Sequence, residues 1–97
     1  MAMHNPPHPG AFIQAVYLTP NEISRQTLAL KLGVDPPTLD RILNEIGGVT
    51  SEMALRLSKV LGRSPESWLA MQDNYDLWQA RHTVDLENIR KIAFEYA

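Results

Sequence analysis

The histidines are the first residues to consider, because an imidazole can bind a metal ion or transfer protons near neutral pH. His4 and His8 are four residues apart, a spacing at which two histidines on one helix face can share a metal. Pro6 and Pro7 lie between them, and a proline pushes its predecessor out of the helical region. No third ligand is evident, and His82 is solitary. We therefore expect no metal and no other cofactor.

Other catalytic chemistry has equally little support. The 97-residue chain has no Cys, which excludes thiol nucleophiles, disulfides and thiolate metal sites. It contains no Gly-rich phosphate loop and no Ser/His/acid arrangement. The carboxylates fall mostly at predicted helix starts and on polar faces, where solvation explains them. We expect a protein that is not an enzyme.

The charges leave nucleic-acid binding open without favouring it strongly. The net charge is -2, whereas a dedicated nucleic-acid binder is often strongly basic. The stretch from Ser24 to Gly62 has five Lys/Arg and four Asp/Glu, a slightly positive balance. This weak field limits how tightly one copy of the chain could hold phosphates.

No segment predicts export or membrane insertion. The N-terminus lacks a basic stretch followed by an apolar run, and no window approaches the roughly 18 apolar residues of a membrane span. We therefore expect a cytoplasmic protein. Apolar residues make up 44% of the chain, which is enough to build one core.

Capping residues and helix breakers predict an all-α chain of five to six helices. The inward stripes are expected to include Val16 in the first helix and Val60 in the fourth. The fifth helix should end near Arg81, and the sixth would pair Val84 with Ile89 as a hydrophobic staple. The predicted capping or first residues are Pro9, Ser24, Asp35, Thr50, Ser64 and Asp85.

The central motif is a tight turn, Gly33-Val34-Asp35, between the second and third predicted helices. A helix-turn-helix needs a turn of about three or four residues, often containing Gly, to set its helices near a right angle. The second helix can then enter a DNA major groove while the first lies across the backbone. Because helical hairpins are common, the turn alone leaves both a DNA-binding domain and an ordinary hairpin open.

Longer motifs carry a resemblance to a known family. Residues Pro6 to Arg81, about four fifths of the chain, resemble the HigA branch of the Xre family of repressors. The stretch from Ser51 to Trp78 is the most specific part. The matching segments are Pro6–Gly10, Leu32–Val34, Leu39–Asn44, Ser51–Leu57, Ser64–Leu69 and Gln72–Trp78.

The resemblance implies a fold and a function. The fold is an Xre or lambda-repressor-like helix-turn-helix domain with a C-terminal helical extension. The function is that of an antitoxin that neutralises a RelE-like mRNA endonuclease, the HigB toxin, and binds operator DNA in its own promoter as a homodimer. The expected domains are an extended segment 1–8, a DNA-binding domain 9–81 and a C-terminal helix 82–97 that contributes to dimerisation.

Carried over by position, the recognition helix of the family falls on Asp35–Asn44. Arg41 and Thr38 lie off its apolar stripe, so Arg41 could contact a guanine edge and Thr38 a phosphate or a thymine methyl. The start of the second helix would meet phosphate, as would the end of the recognition helix. The expected DNA-binding residues are Ser24, Arg25, Pro37, Thr38, Arg41 and Asn44.

The chain departs from the family at the start of this helix. Family members often carry Ser, Lys, Arg or Gln where this chain has Pro36 and Pro37, which offer no donor. Asp40 and Glu45 add negative charge close to the expected DNA surface. We therefore expect base readout by few side chains or by DNA shape, with modest affinity and strong salt dependence.

The large apolar residues are expected to pack rather than to bind a ligand. Trp68 should lie in the core and Trp78 nearer a subunit interface. The C-terminal segment is rich in apolar side chains, so dimerisation is expected through Trp78, Leu86, Ile89 and Ile92. The proline-rich residues Met1–His8 cannot build a core, and we expect them to be mobile until they bind the toxin.

The expected partners are operator DNA, a HigB-like toxin and a second copy of the chain, with no membrane. Two alternatives stay open. One is a solitary Xre-type regulator without a toxin. The other is a protein-interaction module that has lost DNA binding, which Pro36, Pro37 and the acidic balance would favour.

Overall fold

The computed structural model describes residues 5–95, in which five helices and no strand are found. The first helix, α1, runs continuously through Pro9–Ile13, a π-helical turn Gln14–Leu18 and Thr19–Asn21. None of the described helices is both long and apolar enough to cross a membrane. The other four are α2 Arg25–Leu32, α3 Pro36–Leu43, α4 Ser51–Leu61 and α5 Pro65–Thr83.

All three predicted hydroxyl caps are confirmed. Ser24, Thr50 and Ser64 each accept a hydrogen bond from the backbone N–H three residues later, at 3.0–3.2 Å. A cap of this kind contributes about 0.5–2 kcal/mol. Asp35 occupies the same position before α3, but its side chain makes no capping bond. The second residue of α3 is Pro37, which has no N–H to donate.

The π-helical turn changes which face of α1 is buried. Pro20 cannot donate to the carbonyl four residues earlier, and the neighbouring Thr19 N–H bonds to Gln14 instead, five residues back. This wider turn adds a residue and shifts the register of the stripe. Val16, which we expected inside, is 45% exposed, whereas Leu18 is buried.

The core forms where α1 and α5 close over the three middle helices. Trp68 is fully buried, as predicted, and its indole N–H donates to the Gly62 carbonyl at 2.9 Å. Val60, expected in the core, lies at its edge and is 36% exposed. The buried apolar residues of the core are Ile13, Leu18, Leu28, Ala29, Leu32, Leu39, Ile42, Leu43, Val49, Met53, Ala54, Leu57 and Trp68.

Gly10 lets α1 cross α3 at the closest approach that backbones allow. A Cβ atom built on Gly10 would lie 1.9 Å from the Ile42 carbonyl oxygen and 2.9 Å from the Leu43 Cα. Real side chains cannot adopt such distances, so only glycine fits this crossing. The contact fixes the second half of α3 against α1.

The N-terminal segment is docked on the helices where the structure describes it. Pro6 and His8 are buried, which corrects our expectation of a segment that is mobile in the free chain. His8 Nδ1 accepts the Gly10 N–H at 2.9 Å and so caps α1. The ring proton must then sit on Nε2, which donates to the Gly47 carbonyl at 3.1 Å. Residues 1–4, including His4, lie outside the described residues.

The predicted sixth helix is wrong for the part of the C-terminal segment that the structure describes. Residues 84–95 are exposed throughout and contain only a turn. The Asp85 carboxylate accepts the Glu87 N–H at 2.9 Å, which closes a local turn rather than capping a helix. Val84 and Ile89, the expected staple, are 54% and 68% exposed. A short helix needs a surface that buries its apolar face, and none of residues 84–95 is buried against the rest of the described chain.

Candidate nucleic-acid interface

The turn between α2 and α3 has the geometry that a helix-turn-helix requires. Gly33 ends α2 with φ +72°, a left-handed conformation that glycine adopts without strain. The Val34 N–H then bonds back to the Ala29 carbonyl at 3.1 Å, and the half-buried Val34 side chain packs on the core. The Asp35 carbonyl accepts the Thr38 N–H at 3.1 Å, which starts α3. Residues Gly33, Val34 and Asp35 thus end α2 and start α3.

One face of α3 is buried and the opposite face is open. Leu39, Ile42 and Leu43 are at most 5% exposed and anchor the helix in the core. Pro37, Thr38 and Arg41 are exposed together on the outer side, as is Asn44 just after the helix. The apolar stripe of α3 was read correctly, and it sets which side chains project.

Arg41 is the cation of α3 that is available to an external partner. Its guanidinium makes no hydrogen bond or ion pair with any residue that the structure describes. The chain after α3 folds back over its stem, since the Ile46 and Gly47 N–H groups bond to the Arg41 carbonyl at 2.8 and 2.9 Å. A Cβ on Gly47 would stand 3.5 Å from the Arg41 Cβ, which is ordinary contact. The loop after α3 therefore packs against the aliphatic part of the Arg41 side chain and leaves the guanidinium exposed.

Arg25 is tied to α3 rather than free. Its Nη1 donates to the Asn44 side-chain oxygen at 3.0 Å and lies 3.4 Å from an Asp40 carboxylate oxygen. The structure thus brings two expected phosphate contacts, Arg25 and Asn44, into one cluster at the α2–α3 junction. The ion pair partly offsets the negative charge of Asp40. Two nitrogens of the Arg25 fork are not used in it and can still donate outward.

Arg56 on α4 clamps the turn. Its Nη1 donates to the carbonyls of Leu32 and Gly33, at 2.7 and 3.3 Å, where α2 ends. Its Nε and Nη2 both donate to one Glu52 carboxylate oxygen, at 3.1 and 3.0 Å. These bonds satisfy carbonyls that a helix end leaves without partners. Sequence reasoning missed this residue, although the four-residue spacing of Glu52 and Arg56 was a visible sign of a pair.

Two further residues hold the loop after α3, and sequence reasoning missed both roles. Gln72, which is buried on α5, accepts the Val49 N–H at 2.9 Å and donates to Asp76 at 3.0 Å. His8 donates to the Gly47 carbonyl from the other side. Both residues lie inside the motifs that carry the family resemblance, and this position could have indicated that they have a role.

The four expected dimerisation residues do not form one site within a single chain. Trp78 is half-buried on α5 and contacts the His82 ring, with centroids 4.6 Å apart and planes tilted by 46°. Leu86, Ile89 and Ile92 are 64–69% exposed on the segment that follows α5. Their role in dimerisation stays a prediction.

Comparison with known proteins agrees with this geometry. A family model described as helix-turn-helix matches residues 16–68. The chain is 37% identical over 92 residues to YddM of Escherichia coli K12, an uncharacterized HTH-type transcriptional regulator, and the match covers 95% of this chain and 97% of the relative. The fold and the exposed face of α3 define the class, so the chain belongs to the helix-turn-helix family.

Similarity to solved structures narrows the family further. It superposes on the antitoxin GraA with a TM-score of 0.84 and 38% identity, over 96% of this chain and 100% of the other. It also superposes on Pseudomonas aeruginosa antitoxin HigA, solved with higBA promoter, with a TM-score of 0.71 and 31% identity over 82% and 96% of the two chains. The chain therefore belongs to the HigA branch of Xre-type proteins, which are regulators and antitoxins rather than enzymes. The resemblance and the fold class predicted from sequence are confirmed.

Proposed function

We propose that this protein is an antitoxin that binds the operator of its own operon as a homodimer and neutralises a RelE-like mRNA endonuclease of the HigB type in the cytoplasm. The observation that carries the proposal is the outer face of α3, where Arg41 and Thr38 project side by side while the buried face of the helix is fixed in the core. The HigA relative solved with higBA promoter supports operator binding.

The proposed contacts are those that the family resemblance implies, and the exposure of these side chains supports them. Arg41 donates in a bidentate manner to a guanine edge, and Thr38 contacts a phosphate or a thymine methyl. Ser24 and Arg25 at the start of α2 and Asn44 after α3 meet the flanking phosphates. Pro37 brings no donor, so its contact is apolar. Two copies present their α3 helices about one DNA turn apart, roughly 34 Å.

The operator proposal is tested by titrating the DNA upstream of the gene, labelled with a fluorophore, at low and moderate salt. Arg41→Ala should weaken operator binding by on the order of 1–3 kcal/mol, about 5- to 150-fold, if it reads a guanine. Arg81→Ala is the matched control, because it removes one exposed arginine from α5, outside the helix-turn-helix. An Arg41 variant that binds as tightly as wild type would place the recognition surface elsewhere.

The toxin proposal needs its own experiment. Co-expression with the product of an adjacent gene that encodes a small basic protein should give a complex by size exclusion, and the complex should lose mRNA cleavage activity. A protein that binds its operator but has no such neighbouring gene would be a solitary Xre-type repressor. If the protein forms a toxin complex but binds no operator DNA even at low salt, the alternative of a protein-interaction module without DNA binding is supported.

A further inference from the structure

We infer that Arg56 is a positioning residue for operator recognition, which sets the direction of α3 without touching DNA. The inference rests on the proposed function and deepens it. Its basis is that one guanidinium joins α4 to both carbonyls at the α2–α3 turn. Arg56 and these carbonyls are 23 and 24 residues apart in sequence, so the contact ties separate elements together.

The clamp is well suited to fix an angle. The guanidinium is planar and its donors form a rigid fork, so bonds to Glu52 on one side and to Leu32 on the other hold its plane. The site is only partly open to water, with the Arg56 side chain 38% exposed. Gly33 completes the fit, because a Cβ there would lie 3.1 Å from Nη1. A positive group at the C-terminal end of α2 also matches the helix dipole.

The angle matters because α3 can pivot where it crosses α1, at Ile42. Thr38 lies four residues from this pivot, about 6 Å along the helix axis. A tilt of about 10° about the pivot would move the Thr38 backbone by about 1 Å and turn the outer face that carries Arg41 away from a base edge. Gly10 holds the far half of α3 against α1. Arg56 holds the turn from which the helix starts.

The test compares Arg56→Lys, Arg56→Ala and Glu52→Gln with wild type for binding to the operator and to unrelated duplex DNA over a range of salt. We expect operator binding to fall about tenfold or more in both Arg56 variants and less in Glu52→Gln. Binding to unrelated DNA and the salt slope should not change, because no phosphate contact is lost. Lysine should fail like alanine, since one ammonium cannot span the carboxylate and two carbonyls.

Ser64→Ala is the stability control, because it removes a cap from α5 outside the helix-turn-helix and should leave operator binding unchanged. Three results would overturn the inference: variants that bind like wild type, an operator loss that Ser64→Ala reproduces at equal stability, or a salt slope that alanine lowers and lysine restores. The last would mean a phosphate contact. If the Arg56 variants fail to fold, the Glu52→Gln variant tests the inference alone, and operator binding equal to wild type would overturn it. A wild-type protein without operator preference would overturn the proposed function itself.

Discussion

Replacing Gly10 by Ala should destabilise the protein although alanine is the better helix former. In an exposed helix this change would stabilise by up to about 1 kcal/mol. Here the new methyl carbon would stand 1.9 Å from the Ile42 carbonyl oxygen, 2.8 Å from the Ile42 carbonyl carbon and 2.9 Å from the Leu43 Cα. All three atoms belong to the backbone of α3, so no side chain can rotate away.

The geometry sets the size of the effect. A carbon atom approaches a carbonyl oxygen to about 3.3 Å, so α1 and α3 would have to separate by more than about 1 Å. Overpacking of a close-packed interior costs about 1–3 kcal/mol, occasionally more. A backbone clash falls at the upper end of this range, and after the propensity gain we expect a net loss of about 2–3 kcal/mol. For a chain of this size, the melting temperature should fall by about 10–20 °C.

Urea denaturation followed by tryptophan fluorescence measures this loss, because the buried Trp68 reports on the core. Gly47→Ala is the matched control, since its methyl would meet the Arg41 Cβ at an ordinary 3.5 Å, and its unfolding free energy should stay within about 0.5 kcal/mol of wild type. If Gly10→Ala unfolds at the same urea concentration as wild type, the close crossing of α1 and α3 is refuted.

Three further predictions concern other residues that hold the helices together or extend beyond them. His8→Ala should cost about 1–3 kcal/mol of unfolding free energy, because it removes the cap of α1 and the bond to Gly47; urea melts check this, and an unchanged midpoint would contradict it. Gln72→Leu should cost a similar amount by leaving the buried Val49 N–H without a partner, which hydrogen exchange at that amide would reveal as faster exchange. Truncation after Thr83 should lower the mass in sedimentation to that of a monomer, and a truncated chain that stays dimeric would contradict this. At concentrations where the wild type is also monomeric, the unfolding free energy should be nearly unchanged, since no described residue beyond Thr83 is buried.

Local chemistry explains which features could be predicted from sequence. The caps Ser24, Thr50 and Ser64 and the turn that begins at Gly33 depend on neighbours within four residues, and all are confirmed. The buried stripe of α3 follows from helical periodicity in the same way. Asp85 shows the limit of such rules, because a good cap without a surface to pack on yields only a turn.

Contacts between distant residues explain what was missed. The bond from His8 to the Gly47 carbonyl joins residues 39 apart, and the bond from Arg25 to Asn44 joins residues 19 apart. No periodicity indicates such pairs, since they depend on how helices cross. The contacts of Arg56 with the carbonyls at the turn could not be predicted from sequence for the same reason, although its pairing with Glu52 is local.

The sparse positive charge of this interface makes its geometry decisive. Arg25 shares its guanidinium with Asp40, which leaves Arg41 as the cation of α3 without a partner among the residues described. In the proposed homodimer each subunit makes one arginine–phosphate contact, through Arg25, so the salt slope would be only about -1.8, whereas strongly basic repressors reach about -10. This salt dependence is weaker than the one expected from the sequence. Under the proposed function, ion release thus supplies little affinity, and the two α3 helices of the homodimer discriminate by their fixed separation and tilt. Substitutions at Gly10 or Arg56, which we infer lie away from the DNA, should therefore weaken operator binding as much as substitutions on the recognition surface.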